Sequence, residues 1–152
     1  MKKFKNTNKD IVSFEEIVNL IESDYDYEVY VGTDSQVHRK IKKVVYATCV
    51  ILYKKGKGGR VFVAKDRERY ADSLRQRLMN ETWRSLETAF ELQKVLPANV
   101  EIVIHVDVNK QKKWKSSRYL EELVGMVVGQ GFKVVVKPAA WAAQHVADKF
   151  SR

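Results

Sequence analysis

Apolar and polar residues alternate with two different periods in the first half of the chain. Ser13 and Glu16 form a capping box in front of an apolar helical stripe, which predicts a helix over 13–23. Strand-like apolar patterns follow at three places: 27–35, 42–54 and from 61 to 64. Because the connections between these strands are short, they predict an antiparallel meander.

The second half alternates helices with strands. The predicted elements are a helix over 73–96, a strand over 100–108, a helix that follows Ser116 or Ser117 and ends at 129–131, a strand over 132–136 and a helix from Pro138 through Phe150. The strand at 100–108 is nearly continuous in apolar residues on one face, which is typical of a central parallel strand.

This order of elements predicts an α/β fold. We expect a five-stranded mixed sheet with the first three strands antiparallel, flanked by helices, with an extra N-terminal helix. Residues 1–26 are expected to form an N-terminal extension that carries this helix, and residues 27–152 the main domain. With 152 residues in all, the chain is expected to be one compact domain.

The charge balance is strongly basic. Lys and Arg number 28 against 19 Asp and Glu, which gives a net charge of +9 and an isoelectric point near 9.6. An excess of this size suits a polyanionic partner such as nucleic acid. A generally basic protein would show the same balance, so charge alone leaves both interpretations open.

Three features of the sequence indicate the cellular compartment of the protein. The single cysteine, Cys49, allows no disulfide within the chain and fits a reducing compartment. The first residues lead into a polar stretch and predict no signal peptide. The longest apolar run, Val44 to Tyr53, is too short to span a bilayer. We therefore expect a cytoplasmic protein without a membrane partner.

Two acidic residues occupy the ends of predicted strands. Asp34 shares a strand face with Gly32, which leaves space beside the carboxylate. Asp107 ends the apolar strand at 100–108, where open α/β sheets usually bind ligands. A buried carboxylate needs hydrogen bonds, a cation or water, and the alternative is an Asp in a turn at the strand end.

Two predicted helices add further candidates. Glu81 lies within the leucine stripe of the helix at 73–96, but a second apolar strip through Trp83 leaves open which side meets the sheet. His145 and Asp148 share one face of the last predicted helix. A lone histidine on an apolar face is usually a core residue, which is the alternative for His145. A Glu in the first turns of a helix often caps the helix or lies at its edge, which is the alternative for Glu81.

Four acids, Asp34, Glu81, Asp107 and Asp148, therefore come from the first strand of the meander, the long helix, the fourth strand and the last helix. In this order the chain resembles the RNase H-like superfamily. Several stretches resemble more specifically the bacterial YkuK family: VGTDSQVH, LMNETWRSLETA, IHVDVN, KSSRYLEELVGMVVGQGF and KPAAWAAQHVADKF. The resemblance covers roughly residues 27 to 150 and implies an RNase H-like fold.

The resemblance implies a metal-dependent nuclease that hydrolyses phosphodiester bonds of RNA, DNA or a hybrid. Two Mg²⁺ or Mn²⁺ ions, about 3.5–4 Å apart, would act on the attacking and leaving oxygens. By this resemblance Asp34 bridges both ions, Asp107 and Glu81 hold one, and Asp148 holds the other. His145 or His105 would help with proton transfer or product release.

A basic loop follows Asp107. It contains one aromatic residue among lysines, an arrangement able to contact phosphates and stack a base: Lys110, Lys112, Lys113, Trp114 and Lys115. A solvated basic loop is the alternative. Two other functions remain open: a nucleic-acid-binding module that keeps the fold without turnover, and an actin-like phosphotransferase. The second usually needs a duplicated domain and glycine-rich phosphate loops, and neither is found in this sequence.

Overall fold

One mixed sheet of seven strands organises the protein. The computed structural model describes residues 2–24, 26–54, 58–69, 73–109, 111 and 115–137. The strands are β1 (Phe4–Lys5), β2 (Ile11–Val12), β3 (Glu28–His38), β4 (Lys43–Lys54), β5 (Gly58–Arg69), β6 (Ile102–Asn109) and β7 (Lys133–Lys137). Their order in the sheet is β2-β1-β5-β4-β3-β6-β7.

Three α-helices lie along the described chain: α1 (Phe14–Ser23), α2 (Leu74–Val95) and α3 (Leu120–Val128). Short 3-10 helices occupy Arg39–Ile41 and Lys115–Tyr119. Ser13 caps α1 and Ser73 caps α2, because each side chain accepts a hydrogen bond from the backbone N–H three residues later. The helix predicted from Pro138 lies outside the described residues.

The prediction of five strands, of which the first three are antiparallel, is wrong in both details. The first two strands of the chain are β1 and β2, which extend the sheet beyond β5 through antiparallel pairing. The antiparallel meander consists of β3, β4 and β5, and β6 and β7 join it in parallel. Strands of two residues are too short to show an alternating pattern, so the sequence did not reveal them.

The main core lies between one face of the sheet and the helices. Residues that alternate along the strands, such as Val31 and Ile104, pack there with Ile17 of α1 and Leu86 and Leu92 of α2. A smaller cluster lies on the opposite face of the sheet and consists of Ala47, Cys49, Ile51 and Val63. In the described part of the chain, no helix is long and apolar enough to cross a membrane.

Candidate metal centre

Strand register places Asp34 and Asp107 side by side. β3 and β6 pair in parallel from Val29 with Ile102 to Gly32 with His105, and the pairing stops there. Each acid lies two residues beyond this last pair on its own strand. Because neighbouring strands are about 4.8 Å apart, the register alone brings the two carboxylates together at the point where the strands separate.

Glu81 joins these acids from α2. Its side chain is only 2% exposed, and the Ser35 hydroxyl donates a hydrogen bond to its Oε2. One ligand oxygen from each of Asp34, Glu81 and Asp107 lies within 4.8 Å of the other two. We refer to these three residues as the acid triad. They could hold a metal ion.

The acid triad is electrostatically unfavourable without a cation. Burial raises the pKa of the Glu81 carboxyl well above its usual range, and the negative charges of Asp107 and Asp34 raise it further. The hydrogen bond from Ser35 and the positive charge of Arg77 act in the opposite direction. Among the described residues, the buried Oε1 of Glu81 has no hydrogen-bond partner. An oxygen-rich, partly buried site with an unsatisfied ligand atom fits a hard divalent cation.

Buried hydroxyl groups hold the elements that carry the acids. Thr33 of β3 donates a hydrogen bond to Oγ1 of Thr48 on β4 at 3.1 Å, and its hydroxyl lies 2.8 Å from that of Ser85 on α2. All three residues are buried. Since Thr33 precedes Asp34 and Ser85 lies one helical turn after Glu81, this network fixes the helix against the strand beside the acid triad.

An ion-pair network anchors the same helix to β5. Arg84 is buried, and its guanidinium donates to both carboxylate oxygens of Asp66 and to Glu68. The same group lies over the ring of Tyr46, 3.8 Å from the ring centroid. Bidentate pairing and stacking suit the planar guanidinium and restrict the rotation of α2 about its axis.

His105 lies on the same strand as Asp107, two residues before it. Its side chain is 2% exposed and packs near the ring of Tyr30, with 4.9 Å between ring centroids. Burial lowers the pKa of His105 to about 4, so its imidazole is neutral at neutral pH. Its part in proton transfer stays a prediction.

The described residues cover part of the predicted site. The structure brings Asp34, Glu81 and Asp107 together. Lys115 is exposed at the start of a 3-10 helix. Six other predicted residues lie outside the described residues: Lys110, Lys112, Lys113, Trp114, His145 and Asp148.

Sequence reasoning missed two residues that act on Glu81. Ser35 follows Asp34 directly and points to the opposite side of the strand, toward α2. Arg77 precedes Glu81 by four positions and therefore shares its helix face. The helical spacing of Arg77 was a usable signal, whereas the contact of Ser35 depends on how α2 packs.

Comparison with known proteins gives two matches. The family described as ribonuclease H-like matches residues 12–152. The chain is also similar to a Bacillus subtilis (strain 168) protein named "Uncharacterized protein YkuK", with 28% identity over 141 residues that cover 83% of this chain and 80% of the relative.

Proposed function

Because the chain belongs to the ribonuclease H-like family and is of the YkuK type, we propose that it is a metal-dependent nuclease that hydrolyses phosphodiester bonds of nucleic acid. The observation that carries this proposal is the acid triad, whose ligand oxygens lie within 4.8 Å of one another. The net charge of +9 supports it, because a nuclease must approach a polyanion.

Asp34, Glu81 and Asp107 would hold Mg²⁺ or Mn²⁺, since these ions prefer oxygen ligands. We propose two ions, with Asp148 as a ligand of the second and His145 beside it, from their match to family positions. When bound, such ions stabilise the negative charge that develops on the oxygens of a phosphodiester during hydrolysis.

The residues of the chain prepare this site in separate ways. Ser35 orients the carboxylate of Glu81 through its hydrogen bond to Oε2. The hydrogen bond between Thr33 and Ser85 fixes the position of α2 relative to β3, so the acids hold their spacing before substrate binds. Preorganised ligands of this kind reduce the cost of assembling the site around a metal.

A cleavage screen tests the proposal. Wild-type protein is incubated with labelled single strands, duplexes and RNA–DNA hybrids, with Mg²⁺, with Mn²⁺ or with EDTA. We expect cleavage that requires metal and is lost in Asp34→Asn and in Asp107→Asn. Both substitutions keep the side-chain shape and remove the charge.

Asp26→Asn is the matched control, because Asp26 is exposed and precedes β3, whereas Asp34 is the seventh residue of that strand. It should cleave like wild type. Wild-type binding of nucleic acid without metal-dependent cleavage would favour a binding module instead. Equal cleavage by wild type and Asp34→Asn would contradict the proposed site.

A further inference from the structure

A groove lined by positive charge lies where β1 meets β5. It has a volume of about 410 Å³ and is lined by Lys3, Lys5, Asn6, Lys9, Val63, Lys65 and Arg67. We call it the basic groove. Of these seven described lining residues, five are basic and none is acidic.

The charges of the basic groove are uncompensated. Among the described residues, none of its five cations forms an ion pair. Partial burial lowers the pKa of Lys65, and the positive charges of Arg67, Lys5 and Lys9 lower it further. Cations held this close repel one another, and a bound polyanion would relieve that repulsion.

The turn beside the groove has an unusual backbone. Lys9 adopts a φ of 65°, one of two described non-glycine residues with positive φ. The side chain of Asn6 holds this turn by accepting hydrogen bonds from the backbone N–H groups of Asn8 and Asp10, each at 3.0 Å. The left-handed region is unfavourable for a lysine, and strain of this kind occurs often at ligand sites.

Strand register connects the basic groove to the acid triad. Asp34 pairs with Ala47 on β4, and Ala47 pairs with Lys65 on β5. The next row whose side chains point to the same face joins Gln36, Val45 and Arg67. Residues in one row point to the same face of the sheet. Lys65 and Asp34 therefore lie on one face, on either side of the buried Ala47, with their backbones two strand spacings, or about 10 Å, apart.

From this register we propose that the basic groove binds the phosphate backbone of the nucleic acid whose cleavage we assign to the acid triad. The inference rests on the proposed function for its substrate. Successive phosphates along a strand are further apart than the helical rise of about 3.4 Å per nucleotide, so the groove would hold a phosphate close to the scissile bond, within about three nucleotides. The contact is to the backbone and is therefore independent of sequence.

Binding in EDTA tests the groove separately from cleavage. Fluorescence anisotropy with a labelled oligonucleotide of about 20 nucleotides, at several salt concentrations, measures the slope of log Kd against log salt. We expect Lys5→Ala/Lys65→Ala to weaken binding of every sequence alike and to reduce the slope by about 2, or about 1 per lost phosphate contact.

The matched control is Arg60→Ala/Lys94→Ala. It removes the same charge from exposed residues that do not line the groove, and should change the slope little. In cleavage assays, the groove variant should raise KM for long substrates and leave kcat unchanged, because the groove contacts substrate away from the bond that breaks.

Three results separate the two proposals. If wild type cleaves nucleic acid and the groove variant shows no change in affinity, salt slope or KM, the proposal that the basic groove binds the phosphate backbone is overturned. The proposed nuclease function is then unaffected. Groove-dependent binding without any cleavage by wild type overturns the proposed function and supports the groove. Groove-dependent binding to anionic phospholipid vesicles, with oligonucleotide binding unaffected, also overturns the groove proposal.

Discussion

Replacing Glu81 with glutamine should stabilise the metal-free protein at neutral pH. Glu81 is buried, and its ligand oxygen lies within 4.8 Å of those of Asp34 and Asp107. At that separation, ionising Glu81 beside one ionised carboxylate costs about 3 kcal/mol if the effective dielectric constant is about 20, so the folded protein resists a deprotonation that the unfolded chain undergoes freely. An amide carries no charge, and its N–H groups can donate to the neighbouring acids. We therefore expect Glu81→Gln to raise the free energy of unfolding by about 2–3 kcal/mol at about pH 7.5.

The gain should change with pH in one direction. Because the pKa of Glu81 is raised in the folded state, the folded protein keeps a proton that the unfolded chain releases above its ordinary value of 4.5. The contribution of Glu81 to wild-type stability therefore falls as pH rises from there through the folded-state pKa, by up to about 1.4 kcal/mol per pH unit. Below pH 4.5 acid and amide are both neutral, and the two proteins should be similarly stable.

Urea denaturation followed by tryptophan fluorescence in EDTA measures this difference at about pH 4.5, 6 and 7.5. Glu91→Gln is the control, because Glu91 is an exposed residue of the same helix. The reasoning is refuted if Glu81→Gln is less stable than wild type at about pH 7.5, or if its advantage is the same at every pH.

Three further predictions concern the groups around the acid triad. Mn²⁺ at a hundredfold excess over its Kd should stabilise wild type by about 2.7 kcal/mol. Asp34→Asn should be more stable than wild type in EDTA. In thermal melting, Mn²⁺ should raise the melting temperature of Asp34→Asn much less than that of wild type. Asp66→Asn/Glu68→Gln should cost about 3–5 kcal/mol in urea unfolding, because it leaves the buried guanidinium of Arg84 uncompensated. Arg84→Met should lower the free energy of unfolding by less, because the side chains of Asp66 and Glu68 are 47% and 48% exposed and stay solvated without Arg84. Equal losses in the two variants would contradict this explanation. The folded-state pKa of His105, about 4, lies below the unfolded value of 6.5, so the contribution of His105 to stability should rise with pH across that window, opposite in sign to that of Glu81. The change in unfolding free energy across this window should therefore be more negative in His105→Phe than in wild type.

The acids at the strand ends could be predicted from the sequence because strand periodicity is simple. Asp34 and Asp107 each follow a run of alternating or continuous apolar residues, and their places just beyond the parallel pairing of β3 with β6 agree with that pattern. β3 itself continues past Asp34 to His38, further than the predicted strand at 27–35. Glu81 was ambiguous, since two apolar strips run along α2. The structure turns Ser85 and Leu92 inward and leaves Trp83 49% exposed.

Polar contacts determine which side of α2 faces the sheet. The periodicity of apolar residues cannot predict such contacts. Ser85 meets Thr33 across the interface, and Arg84 is buried because Asp66 and Glu68 lie opposite it on β5. In sequence, an arginine in a helix and two acids in a strand are typical of a solvated surface. Asp66 and Glu68 precede Arg84 by 18 and 16 positions in sequence and contact it only when α2 packs against β5.

The mixed topology has a consequence for how the protein is made. The meander of β3, β4 and β5 joins strands that are close in sequence, so its pairing can form early. Asp107 reaches Asp34 only after β6 has inserted in parallel beside β3, a pairing that spans a much longer loop. A nascent chain on the ribosome that ends before Asp107 can therefore form the meander without its acid cluster. The repulsion between the carboxylates is thus delayed until most of the surrounding structure exists to hold them.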